Sequence, residues 1–319
     1  MLEAAAVQAL LADNRHIAIT GASGWLGCAT LDLLARALGD RFAARVSCYG
    51  SAARMIDLGE GRVVPQRPLS ELSALEAPGV WVLHYAFQTK ERAEAMDEAA
   101  YRAANQAISG CVIAALGHID AEAVFVASSG AASKADDPAA SPAMRLYGAM
   151  KRDDEARFAA WAQAGGRRAV IGRIFNLTGP YMNKHDAYAM ASFIRDALGH
   201  RPIRVNAPRE VVRGYVAIRE LMSLVFALLA ADGPPGEVVR FDSGGAALEL
   251  GEVARIVAQA LGGGTTERAA VTEPAPDRYV GDSAAYAALL ARYGIAPVPL
   301  DVQVRETAPW IGRVADPGR

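Results

Sequence analysis

His16-Ile-Ala-Ile-Thr20-Gly21-Ala-Ser-Gly24-Trp-Leu-Gly27 is a short apolar run that passes directly into glycines set three apart. The run reads as a buried strand, and apolar residues recur at helical spacing from Trp25 to Leu38. A strand, a glycine-rich turn and a helix N-terminus make a phosphate site. The glycines admit close backbone approach, while the helix dipole and its first N–H groups hold negative charge. Gly21, Ser23, Gly24, Trp25, Leu26 and Gly27 are therefore candidate contacts for a pyrophosphate. Glycines alone would fit a plain tight turn; their place between strand and helix favours the phosphate site.

Further apolar runs near 44–49, 61–65, 80–84, 123–128 and 169–173 read as strands, with helical stretches near 99–116 and 147–163 between them. This alternation predicts an α/β fold, a Rossmann-type doubly wound parallel sheet covered by helices on both faces. Ligands bind beyond the carboxyl ends of such strands, which is where Gly21 to Gly27, His84, Ser129 and Arg173 fall.

One of those positions suggests chemistry. Ser129 closes the run Ala123-Val-Phe-Val-Ala-Ser-Ser129, and Tyr147-Gly-Ala-Met-Lys151 follows, opening a helical stretch. Tyrosine and lysine four apart share one helix face, so an ammonium can sit beside a phenol. A free phenol, with a pKa of about 10, is a poor base at neutral pH, but a neighbouring cation favours the phenolate. A surface pair is the alternative reading of Tyr-x-x-x-Lys by itself.

Taken together, these motifs make the chain resemble an extended short-chain dehydrogenase/reductase of the NAD-dependent epimerase/dehydratase family, whose members mostly act on nucleotide sugars. The glycine pattern is matched by Thr20, Gly21, Gly24 and Gly27, and the His-x-Ala segment by Val80-Trp-Val-Leu-His84-Tyr-Ala86. A helix asparagine is matched by Asn105, the strand-end serine by Ser129, and Tyr-x-x-x-Lys by Tyr147 and Lys151. Arg173-Ile-Phe-Asn176-Leu-Thr-Gly179-Pro180 and Arg213-Gly-Tyr215-Val216 match two later stretches. The resemblance implies catalysis by Ser129, Tyr147 and Lys151, with cofactor contacts at the glycine turn, His84, Ala86, Asn105, Tyr147 and Lys151. It implies substrate contacts at Ser129, Asn176 and Arg213, the last two near a diphosphate. It also implies a Rossmann domain over 1–178, rejoined by about 207–232, and a smaller substrate-binding domain over 179–206 and 233–319. Family members commonly dimerise through two helices, so a homodimer is expected.

Three departures narrow the chemistry. NAD-dependent members usually carry an acid at the end of the second strand, where it binds the ribose hydroxyls. Ser47 to Ala53 contains no carboxylate, and Ser51 and Arg54 follow the strand instead. An arginine beside a hydroxyl suits a 2′-phosphate, so NADP(H) is favoured with NAD(H) possible; otherwise Arg54 starts a helix in solvent. Val63-Val64-Pro65-Gln66-Arg67-Pro68 replaces the usual Gly-Asp pattern, so adenine recognition is rebuilt there. Gly130, Ala131 and Ala132 follow Ser129, whereas 4,6-dehydratases carry an Asp-Glu pair at that point. Without that acid and base, water elimination is disfavoured. A 4-ketoreductase is the first expectation, a 4-epimerase holding NAD tightly the second. A non-catalytic cofactor-sensing protein is the third, and such proteins typically lose the tyrosine or lysine.

Composition sets limits. With 33 basic and 35 acidic residues the net charge is −2, which gives no broad surface for nucleic acid. Basic clusters at Arg201, Arg204, Arg209 and Arg213 are solvated surface in the simplest reading, Arg213 excepted. No apolar run reaches the eighteen or so residues that span a bilayer, and the N-terminus lacks a basic segment, so a cytoplasmic protein is expected. Cys28, Cys48 and Cys111 are odd in number and set in apolar surroundings, as reduced packing residues are. Five scattered histidines give no metal site, and His84 reads as a structural residue after its strand rather than a catalyst.

Overall fold

The structure, a computed structural model, describes residues 1–315. Two compact units divide the chain: Met1–Ile174 with Met222–Phe241, and Phe175–Leu221 with Asp242 onward.

The first unit runs α1 (Ala4–Ala12), β1 (His16–Thr20), α2 (Trp25–Leu38), α3 (Phe42–Arg45), β2 (Val46–Gly50), β3 (Arg54–Asp57), β4 (Val63–Pro68) and β5 (Val80–His84). It continues through α4 (Lys90–Ala95), α5 (Glu98–Leu116), β6 (Ala121–Ser129), α6 (Pro142–Gly165) and β7 (Arg168–Ile174). In the second unit follow β8 (Asn176–Thr178), α7 (Ala189–Leu198), β9 (Ile203–Val205) and β10 (Val211–Ala217). Next, α8 (Ile218–Ala230) and β11 (Val238–Asp242) carry the chain into the first unit and out of it. The rest comprises β12 (Ala247–Glu249), α9 (Leu250–Leu261), β13 (Thr266–Arg268), β14 (Asp277–Tyr279), α10 (Ser283–Arg292) and α11 (Leu300–Ala315).

The first unit is a Rossmann-type α/β layer. Its sheet has the order β11-β7-β6-β5-β1-β2-β4-β3, with β1 paired in parallel to both β5 and β2. The central strands are near-continuous apolar runs because both faces are buried. Val82, Val124, Val126, Ala169 and Ile171 pack with Val112 of α5 and Phe158 of α6. The chain leaves β1 toward β2 on one side and returns to β5 on the other, so β1 and β5 flank the topological switch point.

Three boundaries differ from the sequence reading. The helix expected to open at Tyr147 begins five residues earlier, because Ser141 caps it, accepting from the Met144 N–H at 3.2 Å, and Pro142 occupies its first turn. β2 starts at Val46 because Phe42–Arg45 coil into a helical turn. β4 starts late because Gly59, Glu60 and Gly61, all at positive φ, close a hairpin between it and β3. That hairpin makes β3 an antiparallel edge on an otherwise parallel-dominated sheet, and Arg54 begins a strand rather than a helix.

In the second unit β10 pairs with β8 and β14 in parallel and with β12 antiparallel, while β9 pairs with β13. The three cysteines are free thiols; burial pushes Cys28 up to about 11 and Cys48 up to about 12, which suits packing rather than reactivity. Among the described residues no helix is long and apolar enough to cross a membrane, and no cluster of side chains would hold a metal ion.

Candidate active site

The glycine turn is shaped by close backbone contacts. Gly21 has φ +70°, and a Cβ there would lie 2.6 Å from the Ala86 nitrogen on the loop after β5. At Gly27 a Cβ would meet the Ala22 carbonyl at 2.4 Å, so α2 packs on the turn only with glycine in place. Gly24 caps α2, which carries no acidic residue in its first turn. Ser23 and Gly24 are exposed and Trp25 and Leu26 half-buried, leaving a helix N-terminus suited to an anion. This cradle, open because it lacks side chains, fits a dinucleotide pyrophosphate.

Ser129, Tyr147 and Lys151 converge beside it. Ser129 ends β6, and its Oγ accepts from the Ala131 N–H at 3.2 Å, fixing the turn that follows. On α6, Gly148 abuts that turn: a Cβ there would stand 2.1 Å from the Ala131 carbonyl oxygen. The residue after Tyr147 is thus locked against the turn after Ser129. Lys151 is 5 % exposed, and its Nζ donates to the Ala127 carbonyl at 2.8 Å, two residues before Ser129. Its Nζ lies 3.7 Å from the Phe87 ring centroid and 6.0 Å from that of Tyr147. Burial pushes the lysine down to about 8, against the opposing pull of Asp154 and Glu155.

Beneath these groups runs a buried polar chain. His84 shares a 2.8 Å hydrogen bond between Nδ1 and the Thr20 hydroxyl, and its Nε2 faces Asp154 at 3.6 Å. The Ser109 hydroxyl donates to Asp154. Burial works against the Asp154 carboxylate, but His84, Lys151 and Ser109 together hold it below the usual range. Glu155 accepts from Ser128 and pairs with Arg173 at 2.8 and 2.9 Å. Asn105, fully buried, accepts from the Gln88 N–H at 2.9 Å, so it braces the loop that carries Ala86.

A family model for NAD dependent epimerases and dehydratases matches residues 17–240, the span containing all of these groups. The chain belongs to that family. Solved structures of similar fold include the UDP-N-acetylglucosamine 4-epimerase from Methanobrevibacter ruminantium M1 in complex with UDP-N-acetylmuramic acid, at TM-score 0.72 and 17% identity, covering 95% of this chain and 99% of that one. The UDP-glucose 4-epimerase of Thermus thermophilus in complex with NAD has TM-score 0.65 and 22% identity, covering 93% and 99%. A double mutant of the dTDP-glucose 4,6-dehydratase from Streptomyces venezuelae with NAD bound has TM-score 0.67 and 20% identity, covering 94% and 98%. No curated protein is similar enough in sequence to count as a match.

The other candidate residues of this epimerase/dehydratase-family chain sit on other elements. Ser51 and Arg54 are exposed past the end of β2, where Gln66 packs on Gly50 and donates to the Ala52 carbonyl at 2.8 Å. Asn176 and Arg213 belong to the second unit. The Asn176 amide donates to the carbonyls of Gly214 and Tyr279, both at 3.1 Å, which leaves it no donor for a phosphate in this arrangement. Arg213 pairs with Asp277 at 2.8 Å. Arg201, Arg204 and Arg209 pair with Asp196, Glu267 and Glu273. Sequence reasoning passed over Phe87, Gly148, Tyr101 and Asp154; only Gly148 had a local signal, as the small residue directly after the tyrosine.

Proposed function

We propose that the protein is an NAD(P)-dependent oxidoreductase that works at one carbinol or carbonyl carbon of a nucleotide-linked sugar. The observation that carries this reading is Lys151, buried one helical turn from Tyr147 and tied to β6 just before Ser129, beside a glycine cradle at the switch point. When bound, the dinucleotide supplies the two-electron exchange with the substrate carbon. Tyr147 moves a proton to or from the attached oxygen, and the Lys151 ammonium favours the phenolate needed for this. The Ser129 hydroxyl orients that oxygen and meets charge as it develops. Arg213 is the candidate diphosphate contact, exchanging Asp277 for the substrate.

Buried Gly130 and Ala131 directly follow Ser129, where the resemblance puts a dehydratase's acid pair, which disfavours water elimination. Reduction of a 4-keto sugar and 4-epimerisation are both served by the same three residues. Ser51 and Arg54 support exchangeable NADPH and hence reduction; the epimerases among the structures of similar fold support the second reading, with retained NAD. Denaturing the purified protein and chromatographing what it releases, then titrating NADPH against NADH by fluorescence, separates them. Exchangeable NADPH supports a reductase, and stoichiometric non-exchanging NAD an epimerase. Tyr147→Phe is expected to abolish turnover of 4-keto or 4-hydroxy sugar nucleotides while sparing cofactor binding; unchanged turnover would refute the mechanism.

A further inference from the structure

Phe87 lies on the loop between β5 and α4, half-buried and in contact with both Lys151 and Tyr147. We propose that Phe87 is a positioning residue: its ring face holds the Lys151 ammonium against the Ala127 carbonyl while its edge aligns the Tyr147 ring.

The geometry supports each half. Nζ stands 3.7 Å from the Phe87 centroid, well inside the ~6 Å range over which a ring face attracts a cation, and desolvation strengthens that attraction. Lysine offers three donors and no acceptor; Ala127 takes one N–H, and the π-face covers another side of the ammonium. The Phe87 and Tyr147 rings meet at 5.9 Å and 76°, an edge-to-face pair. The loop is held on either side of Phe87. The Tyr85 N–H donates to the Thr20 carbonyl at 3.0 Å and the Ala86 N–H to the Thr20 hydroxyl at 3.4 Å. After it, the Gln88 N–H donates to Asn105 at 2.9 Å and the Gln88 carbonyl accepts from the Tyr101 hydroxyl at 2.7 Å. The ring itself packs on a small apolar cluster that includes Tyr101, Leu146 and Met150. Backbone bonds and packing together therefore present a fixed aromatic face to the two functional side chains on α6.

Proton affinity follows from this contact. Burial favours a neutral lysine, and Asp154 and Glu155 on α6 favour the charged one. Those carboxylates are shared with His84 of β5 and Arg173 of β7, and Tyr147 is a further titratable neighbour. Exchanging the ring for an aliphatic side chain keeps the burial and removes an attraction specific to the ammonium, so Lys151 should release its proton at lower pH. The meaning of this for turnover rests on the proposed roles of Lys151 and Tyr147.

The test reads Lys151 directly, in the full chain without added ligand. The lysines are Lys90, Lys134, Lys151 and Lys184, so labelling lysine with ¹³C at Cε leaves four sets of NMR signals, that of Lys151 assigned by its loss in Lys151→Arg. In the wild type its Hε protons should lie upfield through the Phe87 ring current, and it should titrate below the other lysines. Phe87→Leu should lose the upfield shift and lower the midpoint by roughly half to one pH unit, and Phe87→Trp should restore both. Should Phe87→Leu fail to fold, Phe87→Met, unbranched and still apolar, serves in its place. An aliphatic variant titrating as the wild type does would overturn the proposal. Because this measurement needs no turnover, it fails separately from the Tyr147→Phe assay.

Discussion

Replacing Lys151 with methionine should make the protein inactive and, at neutral pH, more stable. The side chain is 5 % exposed, and burial pushes its pKa from the ordinary 10.5 down to about 8, with Asp154 and Glu155 pulling the other way. At about 1.36 kcal/mol per unit, that depression corresponds to about 3 kcal/mol of cost for carrying the charge into the fold at pH 7. Methionine also removes the donor to Ala127, a loss on the order of 1 kcal/mol. A net gain of about 2 kcal/mol remains, or about 4–8 °C in melting temperature for a cooperative unit of this size. Below pH 8 the lysine is charged in both folded and unfolded chains, and the whole cost is present. Between pH 8 and 10.5 the unfolded chain binds the proton and the folded one does not, so the wild type gains stability through that window and the variant's advantage fades. Calorimetry of both proteins at pH 7 and near pH 10 reads this directly. A variant that melts below the wild type at pH 7, or an advantage that does not narrow with pH, would refute the reasoning.

Gly148→Ala brings a Cβ to within 2.1 Å of a carbonyl oxygen that normally tolerates carbon no nearer than about 3.3 Å, so α6 must retreat by about 1 Å. A shift of that size should cost roughly 10²-fold in turnover and about 1–3 kcal/mol in stability, with dinucleotide binding at the Gly21 turn spared, as kinetics, melting and fluorescence titration would show. Arg54→Ala should weaken NADPH binding about tenfold or more and leave NADH nearly unchanged, on the premise that the exposed guanidinium meets a 2′-phosphate; equal loss for both cofactors would assign Arg54 no such part.

The glycine cradle was legible because its residue types are dictated by backbone approach: nothing but glycine fits 2.6 Å from Ala86 or 2.4 Å from Ala22. The central strands were legible because burial on both faces leaves unbroken apolar runs. What escaped was set by contacts distant in sequence. β3 has only four residues, three of them exposed, and exists because a glycine-rich hairpin returns it to β4. Asn176 matches the family's motif as a phosphate contact, but the carbonyls that occupy its amide come from Gly214 and Tyr279, which no local reading brings near. Phe87 carried no signal, since its partner Lys151 lies on a different element and a half-buried aromatic after a strand is ordinary packing.

The polar chain under the site explains why so costly an arrangement is retained. Lys151, Asp154, Glu155 and His84 are all less than a tenth exposed, and burying charges is seldom stabilising compared with apolar packing. Their connections, however, run between the parts that the proposed chemistry needs fixed together. His84 reaches Thr20, the residue from which the glycine turn springs; Asp154 reaches His84 from the helix bearing Lys151; and Glu155 reaches Ser128, the neighbour of Ser129. Apolar side chains would pack the same space with less directional preference, letting α6 slide relative to β1 and β6. Hydrogen-bonded and ionic contacts penalise such sliding, so the stability given up at Lys151 is offset by a fixed register between the glycine cradle and the residues proposed to move the proton.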